Sequence, residues 1–420
     1  MSQAELQCWL HEPDPMKFPY DVVVRHYQQV GKHFVDPQVL RLLGEARERL
    51  PALSAPWPQI QMLASFLSTA LDKADERYDY PTYLALGLLQ LPAVDDPEEQ
   101  APFARSRCDR LVAQLVTDAL AFELAALDQT TTLLPRMRPT PDLVGKRCRH
   151  GLRAIRPALA RMALDGGLVA ADPVEVVRQA CSIVTADMSL AERQAVRLGV
   201  LPVDTCHDEY LFLRVLQAFE TTFALLAVQL RAAISALGER REDRALHFIN
   251  SSEAALRESA PLFSMLATMQ VESFRTFREF TEGASAIQSR NYKIMESLCR
   301  TPDGERLDSP AYLSVPEVRA RVLRAPRTLD DAYQEACGSG DLTPEQCERL
   351  RQAMAEFART LMRWRQTHYR LAVRMLGTAS GTGYTEGTPY LRSVRDIPVF
   401  QGVDVDVPGA VTVEEAVATS

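Results

Sequence analysis

Apolar residues recur every three or four positions along most of the chain, and no run of strict alternation marks a strand. From His207 the series Leu216, Phe219, Phe223, Leu226, Leu230, Ile234 and Leu237 predicts one long helix, with Gly238 as its stop. A second series, Leu350, Met354, Phe357, Leu361, Trp364, Leu371 and Met375, predicts another. That helix opens on Thr343-Pro344-Glu345-Gln346, where Thr343 caps, Pro344 suits the first turn and Gln346 completes a capping box; it closes at Gly377. A further long helix is expected over 242–280, with Asn250-Ser251-Ser252 or Pro261 as candidate breaks. Segments 37–49, 59–73 and 103–127 also read as helices. The middle, about 95–205, is helical by pattern, with Arg-rich faces over 147–161 that read as solvated and breaks at Pro139, Pro141 and Pro157. Residues 302–327 suggest a loop or short helices, and the tail 401–420 has little to anchor it and is expected to be disordered. There is no internal repeat. The expected class is all-α.

Composition narrows the partners. The 420 residues are 46% hydrophobic and 24% charged, enough for a large core in two or three domains. A net charge of −8 argues against general nucleic-acid binding. The N-terminus has no basic and apolar leader pattern, and no apolar run approaches the ~20 residues that cross a bilayer. Eight cysteines without C-x-x-C spacing read as buried thiols and not a disulfide framework, so a cytoplasmic enzyme or binding protein is expected.

His368 changes the picture, because it fills the slot between Trp364 and Leu371 on the apolar face of its helix. An inward imidazole is either a core histidine bonded to a backbone carbonyl or a metal ligand. Zinc or non-haem iron lacks support, since no H-E-x-x-H or clustered His and carboxylate pattern appears. Around His368 stand Trp364-Arg365-Gln366-Thr367-His368, then Gly381-Thr382-Gly383 and Tyr390-Leu391. Upstream lie His207-Asp208-Glu209-Tyr210-Leu211-Phe212, then Phe274-Arg275-Thr276-Phe277-Arg278 followed by Gly283-Ala284-Ser285-Ala286-Ile287-Gln288-Ser289. A weaker piece is Tyr80-Pro81-Thr82-Tyr83-Leu84.

In their order along the chain the four pieces resemble the signatures of the tryptophan 2,3-dioxygenase family of haem proteins, over most of 207–300 and 355–400 and weakly over 78–92. The resemblance implies a helical bundle enclosing haem b, with His368 as proximal iron ligand and Trp364 and Gly381 beside the cofactor. It implies that Arg278 grips the carboxylate of an aromatic amino acid, where the residue-level alternative is an ion pair with Glu279 or Glu282. Phe212 and Phe274 would enclose the ring, Ser285 the distal rim, and Thr382 the substrate's polar end. Tyr80 and Tyr83 correspond to a segment that in the family enters a neighbouring subunit's pocket; read alone they are amphipathic core residues. Arg374 and Arg370 are candidates for the haem propionates, or solvated.

Several positions depart from the family. Where it carries a distal histidine this chain has Leu216, which can neither accept a hydrogen bond nor take a proton. Gly283, Ala286 and Ile287 replace proline, glycine and phenylalanine; Tyr384 replaces a glycine, and more than a hundred residues separate Tyr83 from His207. The expected organisation is an N-terminal helical segment over 1–94, an inserted or accessory region over 95–205 and an oxygenase core over 206–400. The expected function is O2-dependent cleavage of the indole C2–C3 bond of tryptophan or a modified relative. Alternatives are a single-oxygen-inserting hydroxylase of a natural-product pathway and a non-catalytic haem sensor. The family also implies a homo-oligomer, dimer or tetramer, without nucleic-acid or membrane partners.

Overall fold

The computed structural model describes residues 2–53, 55–93, 95, 100–377 and 388–403. Among them there is no strand, only one isolated backbone bridge between Arg136 and Cys206. The fold is all-α.

Four helices, α1 (Ser2–His11), α2 (Tyr20–Val30), α3 (Pro37–Arg49) and α4 (Trp57–Ala70), surround an N-terminal core that includes Tyr27, Leu43, Leu63 and Phe66. A short helix, α5 (Tyr80–Tyr83), follows, capped by Asp79. Next come α6 (Ala101–Leu127), α7 (Pro141–Arg161), α8 (Pro173–Asp187) and α9 (Leu190–Leu198). Pro157 lies inside α7 without ending it, contrary to the break expected there. α6 packs along α10 (His207–Gly238), and their buried side chains belong to one continuous core. α10 is apolar and long enough to cross a membrane, yet most of its surface is buried in the protein. It is the central helix.

The single helix expected over 242–280 is three: α11 (Glu242–Glu258), α12 (Ala260–Leu266) and α13 (Val271–Arg278). Pro261 sets the first break, because its ring cannot continue α11 but fits the first turn of α12. The Asn250-Ser251-Ser252 triplet does not interrupt α11; the Ser252 hydroxyl instead donates to the Phe248 carbonyl at 2.8 Å. Then follow α14 (Arg290–Cys299), the short α15 (Gly304–Leu307), α16 (Pro310–Leu313) and α17 (Pro316–Val322), and α18 (Leu329–Gly338). The last two are α19 (Pro344–Leu376), which carries the expected Thr343 and Gln346 capping box, and α20 (Thr388–Arg395). Cys337 and Cys347 form a disulfide between α18 and the start of α19, and Cys8 is exposed, so the expectation of buried thiols fails for these three. Residues 404–420 of the tail lie outside the described residues.

Candidate active site

α10, α12, α13, α14 and α19 converge on a cavity of ≈ 260 Å³ that the short α5 also lines. Its wall is rich in aromatic side chains. Trp364 meets Phe219, Phe223 and Phe263 with ring centroids 5.6, 5.2 and 5.1 Å away, and its buried Nε1 has no hydrogen-bond partner among the described residues. Phe212 sits 5.8 Å from Phe274 and 5.3 Å from Phe277. Leu216, one turn beyond Phe212, lines the cavity with them.

His368 projects from α19 into this space, 5.3 Å from Trp364 and 6.3 Å from Phe263 between ring centroids. Its imidazole has no hydrogen bond among the described residues, so the backbone-carbonyl alternative is not what the structure contains. Burial, with the nearby Lys293 ammonium adding to it, brings its pKa down to about 4. A neutral imidazole with free ring nitrogens on a cavity wall is a ready metal ligand.

Arg278, at the end of α13, lines the cavity beside Thr281 and Ser285, and burial lowers its pKa. The 286–288 turn is held by Gln288, whose side-chain oxygen accepts the N–H of Ser285 at 3.3 Å and the N–H of Tyr80 at 3.0 Å. That shared acceptor fastens α5 to the rim. Tyr83 donates its hydroxyl to Glu209 at 3.2 Å. Glu209 also accepts the N–H groups of Val203 and Asp204, and burial raises its pKa to about 8. Tyr80 and Tyr83 thus line the cavity of their own chain.

Not every expected residue arrives. Arg374 and Arg370 are exposed on α19 and do not line the cavity. Gly381, Thr382 and Tyr384 lie outside the described residues. Conversely, Glu220, Tyr292, Lys293 and Arg306 were not singled out from the sequence, yet all four line the cavity. Glu220 stands eight residues after Phe212 and four after Leu216, so it shares their helical face; that spacing was its available signal. Burial raises its pKa to about 7, and Oε2 accepts a hydrogen bond from Asn291 at 3.0 Å.

No family model matches the chain. Sequence comparison aligns 47% of it with the curated tryptophan 2,3-dioxygenase of Bordetella pertussis, at 25% identity over 233 residues and 82% of that protein. The tryptophan 2,3-dioxygenase of Anaeromyxobacter dehalogenans is 24% identical over 227 residues, 46% of this chain and 84% of the relative. That of Xanthomonas campestris pv. campestris is 25% identical over 227 residues, 46% and 76% of the two chains. These are distant homologues. They account for under half of the chain while spanning most of their own length.

Proposed function

We propose that this protein is a haem-dependent oxygenase acting on tryptophan or a ring-modified tryptophan, in which His368 would hold the haem iron. The observation that carries the reading is the neutral, unpartnered imidazole of His368 on an aromatic cavity wall. Haem suits such a site because its porphyrin supplies four ligands and asks the protein for one. When bound, haem b would supply the iron at which O2 is activated; the protein supplies orientation and exclusion of water.

Arg278 binds the substrate carboxylate through parallel N–H donors, which fix the plane of that group. Phe212, Phe274 and Leu216 hold the aromatic ring, and Tyr80 and Tyr83 close the pocket from the N-terminal side. Ser285 lines the rim, and the resemblance assigns Thr382 and Gly381 to the closing loop. Leu216 leaves the ring N–H unread, so discrimination falls to shape. Oxygen insertion across the C2–C3 bond requires no general base, because indole is itself electron-rich. The similarity to tryptophan 2,3-dioxygenases supports dioxygenation over insertion of one oxygen.

The test is reconstitution. Purified protein with haem is expected to develop a Soret band that His368→Ala abolishes. Ferrous protein with tryptophan, O2 and reductant is expected to yield a product heavier by two oxygen atoms. A gain of one oxygen makes the protein a hydroxylase, and no product across aromatic amino acids makes it a sensor. Protein that stays colourless, or retains haem after His368→Ala, removes the reading.

A further inference from the structure

Cations outnumber carboxylates along one wall of the cavity. Lys293, Arg306 and Arg365 all line it, and they are only 3%, 8% and 6% exposed. Glu296 bonds two of them directly: Arg306 donates to its two oxygens at 3.1 and 3.2 Å, and Arg365 approaches Oε1 at 3.4 Å. The Tyr312 hydroxyl takes Oε2 at 3.0 Å, leaving that carboxylate fully engaged. Arg365 also donates to the Tyr292 hydroxyl at 2.8 Å and the Ile397 carbonyl at 2.6 Å, and Arg306 donates to the Tyr390 hydroxyl at 2.8 Å.

Lys293 has no such partner. Among the described residues its ammonium forms no direct ion pair and donates no hydrogen bond; it faces the rings of Tyr292 and Tyr312, 5.0 and 5.9 Å from their centroids, with the Glu296 and Glu220 carboxylates near enough to act on it only through space. Burial, followed by the charge of Arg306, brings its pKa down to about 7. Against these three cations stand Glu296 and Glu220, and burial holds the second partly protonated near neutrality. An ammonium withdrawn from water without a direct ion pair is costly, and an anion arriving in the cavity offsets that cost. The walls around it are aromatic, which suits a carboxylate carried on a flat apolar body better than a hydrated inorganic anion.

We propose that Lys293 is a carboxylate-binding residue of the cavity, separate from Arg278, pairing with a carboxylate brought in by the occupant. Two sources share that chemistry, a porphyrin propionate or the carboxylate of the amino acid; only the first rests on the haem reading above. Lys293 takes no part in the chemical step and acts by positioning.

Metal-free protoporphyrin IX separates these possibilities, because it carries the propionates but forms no bond to His368. It is titrated beside its uncharged dimethyl ester, read by quenching of tryptophan fluorescence, in wild type, Lys293→Met and Lys293→Arg. The free acid is expected to bind wild type roughly tenfold or more tighter than the ester. Lys293→Met is expected to erase that margin while leaving ester affinity unchanged, and Lys293→Arg to retain part of it. Exchange of an unpaired buried charge for an apolar side chain of similar length is compatible with folding; Lys293→Gln serves as a second variant. In a parallel calorimetric titration without haem, a tenfold weakening of L-tryptophan but not of tryptamine by Lys293→Met, with the porphyrin margin intact, assigns the carboxylate to the substrate. If Lys293→Met alters neither the acid–ester margin nor the tryptophan–tryptamine margin, the inference is overturned. Failure of the haem reading shows separately, as an iron porphyrin that binds no better than the metal-free one.

Discussion

His368 is defined by what surrounds it as much as by its own chemistry. Its folded pKa of about 4 lies below the ordinary 6.5, so the unfolded chain binds the proton more readily between those values. The associated stability is therefore fully present above about pH 6.5 and is lost as pH falls toward 4. For the haem-free protein we expect His368→Gln to flatten the decline in unfolding free energy over that window, by on the order of 2–3 kcal/mol. Urea titrations at pH 7 and pH 4.5 measure this; parallel declines in both proteins would contradict the assigned environment. Leu216 carries a second expectation. Since an isobutyl group cannot accept the indole N–H, 1-methyltryptophan is expected to turn over with kcat/KM within about tenfold of tryptophan. Outright rejection of the methylated substrate would show that another group reads that proton. His368 was legible in the sequence because a polar residue interrupts an otherwise apolar helical face. Lys293 was not, because a lysine on a helix ordinarily reads as solvated and only packing from other elements buries it.

At the scale of elements, helix existence was largely written in periodicity, while boundaries and close approaches were not. Thr343, Pro344 and Gln346 start α19 where local chemistry says they should, since capping involves groups within one turn. The split of 242–280 into α11, α12 and α13 was only partly visible. Pro261 is a local signal, but the turn at 267–270 contains no glycine or proline. The α6–α7 crossing shows the same limit. A Cβ on Gly151 would sit 2.6 Å from Leu120 Cδ1, so the fully buried Leu120 side chain must move to make room. Gly151→Val is expected to destabilise the protein by about 1–3 kcal/mol. A lowered denaturation midpoint with an unchanged m-value would report it, and an unchanged midpoint would mean that the two helices can separate at little cost.

For the whole molecule, the decisive fact is that residues far apart in sequence close one cavity. The N-terminal helices dock through Gly31, at φ +83°, where a Cβ would lie 2.7 Å from the Val203 carbonyl oxygen. Beside it, the Lys32 N–H donates to the Pro202 carbonyl at 2.6 Å. The docking brings α5 to the start of α10, so Tyr80 and Tyr83 reach the site within one chain. Haem uptake is accordingly expected at one equivalent per chain, with a tryptophan-induced spectral change independent of protein concentration. A response that fades on dilution, in step with dissociation seen by sedimentation, would mean that a second copy completes the pocket. The sequence by itself determined the all-α class, the two long amphipathic helices and the inward face of His368, because helical periodicity and capping act over a few residues. Only the tertiary structure decided that Tyr80 joins its own chain's cavity, that Arg374 stays in solvent, and that Lys293 is buried without a direct ion pair. Those outcomes depend on which distant surfaces meet, and burial changes a side chain's charge energetics only once they have met.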